Sequence, residues 1–231
     1  MLKKILYIGV MQLGWLGYGQ DTIVSFSNAL QANMRSYIKA SNKAYLEQNF
    51  QEGQRLFDSL VNYKLIGTQF DDFTVKNLNS KKITLSKLGK PVFILTYASW
   101  GVINKGDIPA INRLAEEHDD DLQIMIFFWG TKDDLEKTSR LFHKKIQICY
   151  TDTRYRENFD LVKRLKNTLG FPTSYFIDSQ QKVVTINRIS NPMMSGVTLE
   201  DATANSYLKF NSMINTGVLK NSTSKIPVAR N

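Results

Sequence analysis

The sequence predicts an α/β fold: a central mixed sheet of four to five strands with helices on both faces, behind an N-terminal helical extension. Three observations carry this. Val92-Phe-Ile-Leu95 and Leu122–Trp129 are unbroken apolar runs of strand length, the pattern of strands buried on both faces. The stretches between and after them carry apolar residues at three- and four-residue steps, the period of amphipathic helices. Residues 22–63 show that helical period alone, with Phe26, Leu30, Met34, Tyr37 and Ile38 continued by Tyr45, Leu46, Phe50, Phe57 and Leu60.

Taken in order, residues 1–19 read as a secretory signal. Lys3 and Lys4 give the basic start, Ile5 to Leu16 the apolar middle, and Gly17-Tyr18-Gly19 a small-x-small cleavage site before Gln20. Once that segment is removed, no membrane-spanning stretch is expected, and the mature chain is placed in the periplasm or outside the cell. Residues 20–63 form the helical extension, which Gly53 divides into two helices or weakens as one. Residues 64–216 form the main domain, and 217–231, polar and rich in Ser and Thr, read as a flexible tail.

Within the domain, Phe73–Leu78 and Lys82–Leu85 alternate about an Asn79-Ser80 turn and predict a β-hairpin. The central strand Val92–Leu95 runs into Tyr97-Ala-Ser-Trp100, and a helix is expected from near Val102, kinked by Pro109 inside it. Leu122–Trp129 follows as a strand. Lys132–Phe142 is a helix capped by Thr131, with Asp133 and Asp134 in its first turn. Ile146–Tyr150 is a third strand and Arg156–Leu169 a basic helix. Gly170–Asp178 with Lys182–Ile189 makes a second hairpin, and Leu199–Ile214 the last helix.

Two motifs in this order resemble a known family. Tyr97-Ala-Ser-Trp-Gly-Val-Ile-Asn104, with Pro109 beyond it, resembles the active-site corner W-A-S-W-C-x-x-C-x-x-x-x-P of exported redoxins of the TlpA/ResA type. These belong to the thioredoxin-like superfamily that also holds the AhpC/TSA-like peroxidatic proteins. Gly170-Phe-Pro-Thr-Ser-Tyr-Phe-Ile-Asp178 resembles the family's G-x-P-T-T-F-x-I-D, and the hairpin with its Asp71-Asp-Phe entry resembles the family's P-D-F entry, Asp71 replacing the proline. The resemblance covers about two thirds of the chain and implies a thioredoxin-like fold. It places Gly101 and Asn104 at the two cysteine positions. It also implies a substrate edge at Trp100, Phe171, Pro172 and Thr173, where the proline peptide is cis and an extended peptide pairs as an added strand.

The chemistry of such a corner needs a thiolate to attack and a second thiol to resolve. Gly101 has no side chain and the Asn104 amide is not a nucleophile, so dithiol exchange is excluded there. The chain's single cysteine is Cys149, within the strand-like Ile146–Tyr150. It reads as a small core residue, with a redox thiol in cell redox homeostasis as the alternative. His118 and His143, in separate predicted helices with no ligand-spaced partner, read as surface residues and not as metal ligands. Ser99 lacks the Gly-x-Ser-x-Gly elbow of a hydrolase. Net charge is +9, with Arg154, Arg156, Lys163, Arg164 and Lys166 clustered. Beside an export signal this predicts a solvated basic face and not a nucleic-acid site. The expected function is a non-catalytic binding or scaffolding module for a protein or peptide of the bacterial envelope, without a cofactor.

Overall fold

The computed structural model describes residues 23–99, 101–151, 169–170, 172–189 and 196–224. Its elements are α1 (Phe26–Leu46), α2 (Phe50–Leu60) with a wide π turn Val61–Leu65, β1 (Thr74–Lys76), β2 (Lys82–Thr84), β3 (Val92–Ala98) and α3 (Asp107–Glu117). They continue with β4 (Gln123–Trp129), α4 (Lys132–Ser139), β5 (Gln147–Thr151), β6 (Thr173–Ile177), β7 (Val183–Arg188) and α5 (Leu199–Ser224). The five-stranded sheet has the order β5-β4-β3-β6-β7. β3 and β5 run parallel to β4, whereas β6 runs antiparallel to β3 and β7 antiparallel to β6. The sheet is mixed, as the sequence predicts.

The apolar runs are explained by burial on both sides of this sheet. Along β4, Met125, Phe127 and Trp129 face one core while Ile124, Ile126 and Phe128 face the other. β3 divides the same way, Val92 and Ile94 against Phe93, Leu95 and Tyr97. The period-2 pleat is present but hidden in the sequence, because neither face meets water.

The first core is closed by the α1–α2 extension through Phe26, Leu30, Tyr37, Phe57, Leu60 and Leu65. Phe26 stacks on Phe70 at 5.0 Å and meets Tyr175 edge-on at 6.2 Å. The extension is therefore one layer of the fold. The second core is closed by α3, α4 and α5 through Ile111, Leu114, Leu135, Phe210 and Ile214. β1 and β2 form a separate two-stranded sheet whose turn is tied by Asn77, its Oδ1 accepting from the Asn79 and Lys81 amides at 3.0 Å each.

Several expectations are corrected. The extension divides at Gln48, which takes a left-handed φ of 54°, and Asn49 then caps α2 by accepting from the Glu52 amide; Gly53 lies inside α2. α4 stops at Ser139, and His143 sits in the loop beyond it, not in a helix. There it is partly buried, with Nε2 3.3 Å from Glu116 and its amide donating to Asn112 Oδ1 at 2.7 Å. α5 does not end at Ile214 but runs to Ser224, across the residues read as the start of a tail. Gly217 explains the continuation: a β-carbon there would lie 2.3 Å from the Phe176 ring, so this turn is seated directly on the sheet. The predicted basic helix Arg156–Leu169 and the signal at 1–19 lie outside the described residues, save for Leu169 itself. No helix among the described residues is long and apolar enough to cross a membrane.

Candidate functional site

The site is built at the C-terminal end of β3, where the chain leaves the sheet. Ser99 donates its amide to Trp129 O at 3.0 Å, and a β-carbon on Gly130 would fall 2.1 Å from Ser99 Oγ, so the two strand ends are packed hard together. The Gly101 amide closes a turn on Ala98 O at 2.9 Å. Val102 stands in solvent at 75% exposure. Asn104 then organises the next turn twice over. Its Oδ1 accepts from the Gly106 amide at 3.0 Å and its carbonyl from the Asp107 amide at 2.9 Å.

These bonds delay the helix. α3 begins at Asp107, not near Val102, so Gly101 and Asn104 lie ahead of it and no helical amides converge on Gly101. The expected kink at Pro109 falls away for the same reason. Pro109 is in the first turn, where amides have no intrahelical acceptor, so its missing N–H costs the helix nothing.

Opposite this corner is the proline loop. Thr96 on β3 pairs with Thr173 on β6, and the two are joined again through a side chain. The Thr173 amide donates to Thr96 Oγ1 at 3.2 Å, and that hydroxyl donates to Thr173 O at 3.1 Å. The Thr173 hydroxyl donates to Gly170 O at 2.7 Å, and Pro172 O accepts from the Ile189 amide at 2.9 Å. Continuing the β3–β6 register by one residue sets Pro172 beside Tyr97, so the loop reaches the corner. Thr173 is fully buried with its polar groups engaged inside the protein, which makes it the anchor of the loop and not an exposed contact. Trp100 and Phe171 lie outside the described residues.

Under the corner lies a group that the sequence reading passed over. Asp107 is 0% exposed at the start of α3. Ser206 on α5 donates to its Oδ1 at 2.7 Å, Tyr97 on β3 to its Oδ2 at 3.3 Å, and Lys209 Nζ stands 3.5 Å away. Burial, with the Asp107 charge beside it, holds the Tyr97 phenol well above its usual pKa, so it stays a donor. Gly106 belongs to the same seat: a β-carbon would lie 2.2 Å from the Ala202 backbone. Lys105 Nζ donates to Val197 O just ahead of α5. With the helix expected from near Val102, the sequence carried no signal for Asp107, whose partners come from β3 and α5.

Cys149 lies on β5, paired with Phe127, at 0% exposure, and desolvation pushes its thiol up to about 12. The corner and this thiol are thus on different strands, and the thiol stays protonated at neutral pH. Among the described residues no group of three or more His, Cys, Asp and Glu could hold a metal ion.

The sheet order, the buried central strand and the proline loop set beside its end give the chain an α/β fold of the thioredoxin-like kind. In sequence the chain is similar to the thioredoxin-like protein YneN of Bacillus subtilis, 24% identical over 122 residues, 52% of this chain and 70% of that one. It is also similar to an uncharacterized protein of Haemophilus influenzae, 27% identical over 120 residues, 48% and 73% of the two chains. Among solved structures it is similar to a Chlorobium tepidum protein assigned as a thiol:disulfide interchange protein, DsbE (18% identity, 66% of this chain and 97% of that chain, TM-score 0.49). StoA of Bacillus subtilis is similar at 15% identity, 58% and 95% coverage and a TM-score of 0.40. No family model matches the chain.

Proposed function

We propose that this protein is an exported thioredoxin-like module that binds a protein or peptide of the cell envelope and exchanges no thiols. The carrying observation is the state of its single sulfhydryl: Cys149 is sealed in the sheet, with no second cysteine anywhere in the chain to resolve a mixed disulfide. Gly101 and Asn104 hold the places that the family resemblance gives to the cysteine pair. Asn104 has become a turn residue, its amide oxygen and carbonyl both spent on the start of α3. The family resemblance assigns the binding edge to Trp100, Phe171, Pro172 and Thr173, and Thr173 is tied to β3 through Thr96. Export is supported by the Lys3-Lys4, Ile5–Leu16 and Gly17–Gly19 pattern.

Insulin reduction with dithiothreitol tests the absence of exchange. The expected rate is that of a heat-treated control, and turnover above it would overturn the reading. N-terminal sequencing of the protein from an envelope fraction should find Gln20 first.

A further inference from the structure

We propose that the tip of the α1–α2 hairpin is a membrane-contacting surface that rests on a bilayer carrying anionic lipid. This needs neither the chemistry of the corner nor its binding edge. Tyr45 and Leu46 close α1 and Phe50 opens α2, and they stand 73%, 82% and 71% exposed. Three large apolar side chains around one turn make a patch on the order of 400 Å². The turn beneath them is internally bonded. The Glu47 amide donates to Lys43 O at 3.0 Å, Gln48 to Tyr45 O at 3.0 Å, Asn49 to Ala44 O at 2.8 Å and Phe50 to Gln48 O at 3.1 Å. Asn49 Oδ1 then accepts from the Glu52 amide at 3.0 Å. The patch is thus shaped before any contact is made, and the turn can enter a headgroup layer without stranding these donors.

Contacts at the two ends of β7 fix where the tip points. α1 starts at the far end of the sheet, where the Phe26 amide donates to Gln69 O at 2.7 Å and Gln69 bridges to Lys182 just ahead of β7. At the other end of β7, Arg188 donates to the Tyr37 hydroxyl of α1 and lies 4.1 Å over the Phe57 ring of α2. From Ile38 to Leu46 the helix therefore runs on for about 13 Å beyond that contact. The tip is a convex knob at the end of the sheet where Arg188 pairs with Thr173.

Its flank is cationic. α1 holds Arg35, Lys39 and Lys43 at four-residue steps, all exposed, and has no acidic residue of its own. That spacing sets them in one row leading to the tip, beside Ile38 at 47% exposure. Glu47, in the turn, lies 3.8 Å from Lys43 Nζ. Aromatic and aliphatic side chains ahead of a basic row suit the headgroup boundary: the first sink by about 5–10 Å and the cations stay with the phosphates. A second copy suits the patch less well, since about 400 Å² is half of the roughly 800 Å² each partner buries in a stable complex. A convex knob also needs no matching groove on a bilayer. Seated this way, the molecule turns the corner end of its sheet towards the lipid.

An environment-sensitive label on the full chain tests this. Cys149 is buried, so Leu46→Cys gives a single reachable thiol at the tip for a nitrobenzoxadiazole dye. Leu208→Cys on α5, where the leucine is 65% exposed, gives the control. The tip label should brighten and shift to the blue with vesicles of phosphatidylcholine mixed with phosphatidylglycerol, and the response should fall as salt rises. It should respond little to phosphatidylcholine alone, and the α5 label to neither. The label reports its own surroundings, so the apolar stretch at residues 5–16 does not enter the reading. In the tip-labelled chain, Tyr45→Ser with Phe50→Ser should raise the lipid needed for half the response at least about tenfold. Lys39→Gln with Lys43→Gln should raise it by roughly tenfold or more. No response of the tip label to the mixed vesicles overturns the inference, as does a response that all four substitutions leave unchanged. An equal response to both vesicles overturns the anionic assignment. A response that needs no lipid and tracks a dimer in sedimentation equilibrium overturns it in favour of a second copy.

Discussion

Replacing Asp107 with Ala should unfasten α5 from the corner, and the cost follows from the geometry. Asp107 accepts from Ser206 at 2.7 Å and Tyr97 at 3.3 Å, and all three side chains are buried. Alanine leaves two hydroxyl donors without an acceptor away from water, at about 1–3 kcal/mol each. Loss of the weaker 3.5 Å contact to Lys209 adds little, because that amine is partly solvated. The expected destabilisation is about 3–5 kcal/mol, in the range for breaking a buried polar cluster. Asp107→Asn keeps one oxygen acceptor but turns an amide N–H toward a donor, so about 1.5–3 kcal/mol is expected. Urea unfolding followed by circular dichroism measures both, and a double-mutant cycle with Ser206→Ala isolates the pair. A loss below about 1 kcal/mol for Asp107→Ala at unchanged m, or additivity in the cycle, would refute the buried α3–α5 latch.

Three further outcomes are expected. Tyr175 is fully buried with its hydroxyl unbonded among Phe26 and Phe70, so Tyr175→Phe should raise stability by about 1 kcal/mol in thermal unfolding; a lower Tm would show a bonded hydroxyl. Gly217→Ala gains about 1 kcal/mol of helix propensity but sets a methyl 2.3 Å from the fixed Phe176 ring, so overpacking of about 1–3 kcal/mol should win and lower the urea midpoint. Stability should also fall in alkali. Burial keeps Cys149 and Tyr97 protonated when folded, while the unfolded chain ionises them from about pH 8.5 and pH 10 respectively. Above those values the unfolded state binds fewer protons and gains by about 1.4 kcal/mol per pH unit per group. For Cys149 this continues until about 12, so Cys149→Ala should show a shallower alkaline slope.

The legible parts of the sequence were those set by local pattern. The β3 and β4 runs show burial on both faces, and the hairpin turn shows itself through Asn79 and Ser80, with Ser80 at φ 61°. The proline loop was legible through motif resemblance, and it does lie beside the end of β3. What was missed shares one cause. The break at Gln48 in place of Gly53 follows from a left-handed residue that propensity does not mark. The late start of α3 follows from a turn built by Asn104, a residue whose oxygen competes with helical bonding. The length of α5 follows from Gly217, the first residue of the stretch read as a tail, which lets the helix lie directly on the Phe176 ring.

Sequence alone determined that the chain cannot form a disulfide within itself, that it builds an α/β sheet of doubly buried strands, and that a proline loop follows a corner without sulfur. These are matters of residue inventory and short-range order. Only the tertiary structure decided where that inventory acts. It sealed Cys149 inside the sheet, set Ser206 under Asp107 from 99 positions away, and brought Tyr37 to Arg188 across 151. Burial and hydrogen bonding act through space, and the chain separation between these partners leaves no trace in any local pattern.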